Sequence, residues 1–196
     1  MIDRLSHDLS PHLAYHSLAH TRDDVLPAAA RLGRAMGLGD EEFLIVTTAA
    51  LFHDTGFLRV YQNHERESMA ITRDVLPGFG YSSGQIDRIA DLIAVTQMPQ
   101  RPNDLLQELL CDADLDLLGR EDFPRLNRVL LQEVRHFIAP TLTEQAWLRG
   151  QMIFLEEHKF FTPAARALRA TGKARNLAYM RAALTSLNGH DSAAVA

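Results

Sequence analysis

Apolar residues recur at three- and four-residue intervals almost from one end of the chain to the other. No stretch alternates apolar and polar residue by residue with clustered β-branched side chains. A 3.6-residue period puts apolar side chains on one helix face, so the pattern predicts an all-α fold. Helices are expected over about residues 11–20, 21–36 and 41–54, the third entered from Asp40 as N-cap and ended by Thr55-Gly56. Further helices are expected at about 64–76, 83–97, 103–118, 122–138, 141–158 and 163–187. Gly37-Leu38-Gly39, Gly78-Phe79-Gly80 and Met98-Pro99-Gln100-Arg101-Pro102 are the clear breaks between them. With no internal repeat and no long linker, residues 1–187 read as a single compact multi-helix bundle and residues 188–196 as a disordered tail.

Composition narrows the class. A hydrophobic share of 46% with 23% charged residues suits a globular domain with a substantial core. The net charge of −5 argues against general nucleic-acid affinity. Cys111 is the only cysteine, so no intramolecular disulfide can form, which suits a cytoplasmic location. The N-terminus lacks the apolar core of a signal peptide, and no apolar run approaches the roughly 20 residues of a membrane span.

The informative positions are polar groups inside apolar segments. His53-Asp54 closes the run Ala49-Ala50-Leu51-Phe52, where an unpaired carboxylate would be costly to bury and a bound cation would compensate it. The pairs His7-Asp8 and His190-Asp191 lie in polar or small-residue surroundings and serve as controls, read as solvated. In Tyr15-His16-Ser17-Leu18-Ala19-His20, the two histidines are four apart and would share a helix face. In Leu110-Cys111-Asp112-Ala113-Asp114-Leu115-Asp116, Asp112 and Asp116 would share a face while Asp114 points elsewhere. Two imidazoles with carboxylates make a mixed nitrogen and oxygen set suited to Mn, Fe, Co, Ni, Zn or Mg.

A histidine, a later His-Asp pair and a distant aspartate after alanine, in that order over residues 15–116, resemble the HD superfamily of metal-dependent phosphohydrolases. The resemblance implies His20, His53, Asp54 and Asp114 as metal ligands. Asp114 is preferred to Asp112 on its Ala-Asp-Leu setting. The Tyr-His-x-x-x-His segment is similar to that of the cyclic-nucleotide phosphodiesterase branch, which implies His16 as the acid for the leaving oxygen. Between Asp54 and Asp114 the only histidine is His64, whereas HD oxygenases and fully dinuclear hydrolases have two more there. One well-held ion is therefore expected, or a pair whose second member, bridged by Asp54, is mostly ligated by water.

The resemblance implies hydrolysis of a nucleotide-like phosphoester, a diester before a monoester, by a metal-activated water near Asp54. The alternatives are a nucleotidase or alarmone hydrolase on the same site, a non-catalytic sensor that binds metal or nucleotide, and, last, an oxidative enzyme. The expected partner is a small phosphoester, with a homodimer left open. His64 or Glu65 would move protons or extend the metal shell, against a reading of Asn63 to Glu67 as a capped helix start. Arg59 and Arg66 are candidate phosphate clamps, and Thr96-Gln97 could approach the cleft. Asp112 and Asp116 are expected to pack or to hold ligand imidazoles. The basic run over residues 159–181 reads first as a solvated helix face.

Overall fold

The computed structural model of the protein describes residues 1–193, with side chains as far as Leu187. Among them there is no strand; the fold is all-α. Helix α1 spans Ile2–Asp8. A π-helical turn, His20–Val25, runs directly into α2, Leu26–Ala35. There follow α3 (Asp40–Phe52), α4 (His64–Val75), α5 (Ser83–Ala94), α6 (Leu105–Asp114), α7 (Phe123–Phe137), α8 (Glu144–Glu157) and α9 (Pro163–Ala193). No helix is long and apolar enough to cross a membrane.

Helix α3 is the centre of the packing. Ile45, Val46, Ala49, Ala50 and Phe52 are buried around its circumference, and α2, α5 and α6 pack on it. A helix that is apolar all round has no face to give to water and takes the interior position. α4 closes against α5, while α8 and α9 pack on each other and α9 also covers the 3₁₀ turn Asp116–Gly119. The breaks follow local chemistry. Gly37 ends α2 at φ 72°, with Leu38 N–H returning to Gly33 C=O at 3.1 Å. α3 is entered from Gly39 rather than Asp40, which is its first residue. Ser82 and Gln85 form a capping box on α5, and Asp104 and Thr143 cap α6 and α8.

Four expected boundaries change. Residues 11–17 are not helical, although α1 ahead of them is. The N–H groups of Tyr15 and His16 donate instead to Glu133 on α7, at 2.7 and 3.1 Å, so a distant carboxylate takes donors that a helix ladder would have used. His16 therefore does not share a helix face with His20. α6 stops at Asp114, where Leu115 leaves the helical basin, instead of running to 118. α5 stops at Ala94, short of 97. α9 is helical through Ala193, past the expected end at 187, because no proline follows Pro163 to interrupt the ladder. The rest of the expected tail, residues 194–196, lies outside the described residues.

The turn Thr55–Leu58 lies tight against the start of α4. A Cβ on Gly56 would sit 1.9 Å from His64 C=O, and Gly56 N–H donates to Ser68 Oγ at 2.8 Å. Backbone cannot yield as a side-chain end can, so Gly56→Ala should destabilise by about 3 kcal/mol. At this chain length that is a fall in Tm of roughly 6–12 °C, read by thermal unfolding.

Candidate metal centre

Three chain segments deliver the buried polar groups. His20 opens the π-helical turn, His53 is the C-cap of α3, Asp54 follows it out of the helix, and Asp114 is the last residue of α6. The carboxyl ends of α3 and α6 thus meet here, and the negative ends of two helix dipoles favour a cation. His53 Nδ1–H donates to Ala50 C=O at 2.8 Å, which turns the Nε2 lone pair inward.

That lone pair faces carboxylate oxygens on two sides. His53 Nε2 lies 3.2 Å from Asp54 Oδ2 and 3.5 Å from Asp114 Oδ1; His20 Nε2 lies 3.5 and 3.6 Å from the same two atoms. His20 Nε2, His53 Nε2 and Asp54 Oδ2 are buried with no hydrogen-bond partner. Acceptors facing acceptors in a buried site need a proton or a cation between them. Burial opposes charge at His53, Asp54 and Asp114. Even so, Asp54 and Asp114 draw the His53 pKa well up, while the imidazoles hold Asp54 well below the usual carboxylate range and Asp114 at about 2. The cluster is short of positive charge.

A first-row divalent ion would supply that charge at the right scale. With bonds of about 2.1 Å, neighbouring ligand atoms stand roughly 3.0 Å apart in an octahedron and 3.4 Å in a tetrahedron, close to the separations seen. His20, His53 and Asp114 form a group that can hold a metal ion, their ligand atoms all within 4.8 Å of one another.

Two further histidines flank the centre. His64 Nδ1 donates to Tyr61 C=O at 3.3 Å, and its Nε2 faces Asp54 Oδ1 at 3.3 Å, with Glu65 3.7 Å away. Asp54 therefore turns one oxygen to His20 and His53 and the other to His64. His16 donates from Nδ1 to Glu133 Oε1. Phe57 packs against both rings, 4.5 Å from His16 and 3.9 Å from His64, whose own centroids are 6.2 Å apart. Asn63 precedes α4 in a left-handed conformation without a side-chain cap.

A cavity of about 410 Å³ opens from the centre. His16, Asp54, His64, Glu65, Thr96 and Asp114 are among its polar lining residues, and Leu117, Leu118, Phe123, Leu130 and Phe154 among its apolar ones. Gln97 lines an adjoining depression together with His16, His64, Glu65 and Met98.

Several expected roles are not met. Arg59 pairs with Glu67 on the surface and Arg66 is exposed; neither lines the cavity. Asp112 and Asp116 take the packing alternative and do not hold ligand imidazoles. Asp112 accepts from the N–H groups of Phe161 and Thr162 and from Thr162 Oγ1, fixing the entry to α9, while Asp116 takes a bidentate pair from Arg169 at 2.7 Å and Arg31 at 3.0 Å. The control residue His7 is exposed on α1, and the side chains of His190 and Asp191 lie outside those described.

Missed by the sequence reading were Glu133, Phe57 and Gln100. Glu133 is 1% exposed and also accepts from Tyr61 Oη at 3.1 Å. Burial works to raise its pKa, but the bonds from His16 and the two backbone N–H groups outweigh it and hold the carboxyl below its usual range. Gln100 Nε2 donates to Asp114 Oδ2 at 3.3 Å. Glu133 could not have been found locally, since its backbone partners lie 117 and 118 residues away.

The basic run of α9 is largely engaged within the chain: Arg166 with the carbonyls of Phe160 and Phe161, Arg169 with Asp116, Lys173 with His158 C=O, Arg175 with Glu121 and Arg181 with Glu156. Burial, reinforced by Lys173, depresses the His158 pKa to about 4. The unfolded chain then takes up this proton first, so stability should fall as the pH drops from about 6.5 toward 4. The loss should be on the order of 1–2 kcal/mol once partial exposure is allowed for, and His158→Phe should remove that part of the dependence in pH-resolved urea melts.

No family model, curated protein or solved structure matches the chain.

Proposed function

We propose that the protein is a metal-dependent phosphohydrolase acting on a small, nucleotide-like phosphoester, a diester in preference to a monoester. The observation that carries this reading is the set of three buried, unpartnered ligand atoms on His20, His53 and Asp54, with Asp114 closing the same space. In this reading Asp54 would be the fourth ligand, with its second oxygen turned to His64. When bound, the cation supplies an acidic water and stabilises charge on the phosphoryl oxygens.

The chain's own residues account for the other half of the reaction. Glu133 accepts from His16 Nδ1, so any proton that His16 gives to substrate leaves from Nε2, and the carboxylate stabilises the imidazolium before transfer. Phe57 holds His16 and His64 side by side, and the ring of His64 is placed to accept a proton from water near Asp54. An alkoxide leaving group needs the His16 proton, whereas 4-nitrophenolate does not.

The test follows from that difference. Metal-stripped protein should be inert toward bis(4-nitrophenyl) phosphate and recover turnover on addition of Mn²⁺. His16→Gln should slow an alkyl phosphodiester by roughly 10²-fold or more while sparing the nitrophenyl ester. Protein that binds the metal tightly yet hydrolyses neither diesters nor monoesters would replace this reading with that of a metal-binding sensor.

A further inference from the structure

We propose, resting on the reading above, that the cavity takes the organic part of the substrate, a ring bearing an N–H or O–H donor read by Asn127, and that it rejects di- and triphosphates. Charge sets the second half of this statement. Among the described residues no lysine or arginine lines the cavity, while Asp54, Asp114 and Glu65 do. Arg166, Lys173 and Arg181 of α9, with Lys159 ahead of it, line a separate depression. A polyphosphate needs cationic side chains or several ions along its length. Here compensation exists at one point, the metal centre, and suffices for a single phosphoryl group.

Much of the remaining lining is apolar. Leu117, Leu118, Leu130, Phe123 and Phe154 offer apolar contact and two aromatic rings, suited to a flat ring system. Also in the lining is Asn127 on α7, 4% exposed. Among the described residues its Oδ1 is buried without a partner, and its Nδ2 has Met180 Sδ at 3.9 Å, a weak acceptor. Gln151 is the other amide in the lining. An unused hydrogen-bonding group in an apolar pocket is costly unless a ligand completes it, and such a group discriminates strongly between ligands with and without the matching atom.

The experiment compares two nitrophenyl esters on Mn-loaded full-length protein: thymidine 5′-(4-nitrophenyl phosphate), whose ring carries an N–H, and bis(4-nitrophenyl) phosphate, whose rings do not. Asn127→Leu should lower kcat/KM for the thymidine ester at least roughly tenfold relative to the other. Equilibrium dialysis supplies the second arm, with thymidine 5′-monophosphate binding at least as tightly as the 5′-triphosphate. An unchanged ratio of the two esters, or a triphosphate that binds tighter, overturns the inference. If neither ester is hydrolysed but the monophosphate binds and Asn127→Leu weakens it roughly tenfold, the inference stands and the hydrolase reading falls. Should the leucine variant fail to fold, Asn127→Ala is read in the same two assays.

Discussion

Asp54→Asn should eliminate metal-dependent turnover and leave a folded protein with greatly weakened metal binding. The side chain keeps its shape, so packing around a residue 6% exposed is preserved. What changes is charge. Asp54 Oδ2 lies 3.2 Å from His53 Nε2 and 3.5 Å from His20 Nε2, and a neutral amide there leaves Asp114 as the only carboxylate facing both rings. Removing a group that only orients a ligand already costs roughly 10–100-fold in metal affinity or activity. Loss of a charged ligand should exceed that, and a fall in kcat/KM of roughly 10³-fold is the expected result, read with metal content by atomic emission. His64 supplies a control. Its Nε2 faces the other Asp54 oxygen, so His64→Gln should keep the tightly held ion while lowering the rate. A variant Asp54→Asn that retains metal and full activity would remove this centre as the site of chemistry.

The legible parts of this molecule are those whose cause is local. α3 could be read from its apolar run and the glycines before it, and His53-Asp54 stood out because a charged pair is out of place at the end of such a run. The controls behaved as their surroundings predicted as far as His7 can show. Beyond that pair, the periodicity offered His20 and Asp114 only as candidates among several, and the family resemblance chose between them. The structure brings both to His53, and it sends Asp112 and Asp116 to α9 and its entry instead. α6 ends at Asp114 with no glycine or proline to announce it, so a sequence-based boundary ran past the residue that matters. The segment before His20 failed for a different reason: its amphipathic spacing is compatible with a helix, but a carboxylate more than a hundred residues away captures its backbone. Tertiary contacts of that range leave no mark within a sequence window.

Glu133→Ala should therefore act on stability and rate together, and the two can be separated. The carboxylate accepts from Tyr15 N–H, His16 N–H, His16 Nδ1 and Tyr61 Oη, and its side chain is fully buried. Truncation leaves these donors facing a void, at a cost of about 3–5 kcal/mol and a Tm lowered by roughly 10 °C. Glu133→Gln keeps one acceptor oxygen and most of the volume, so it should lose less stability yet still fail to stabilise a protonated His16. Its expected signature is a rate on alkyl diesters reduced by roughly 10²-fold, with nitrophenyl ester hydrolysis nearly intact. The acid limb gives an independent readout. Because the folded-state pKa of Glu133 lies below that of an unfolded glutamate, its contribution is complete above about pH 4.3 and is lost as the pH falls through the folded value. The wild type should lose stability more steeply than Glu133→Gln in that range. Equal acid limbs, with equal rates on both classes of ester, would reduce Glu133 to a packing residue and leave His16 without its partner in proton transfer.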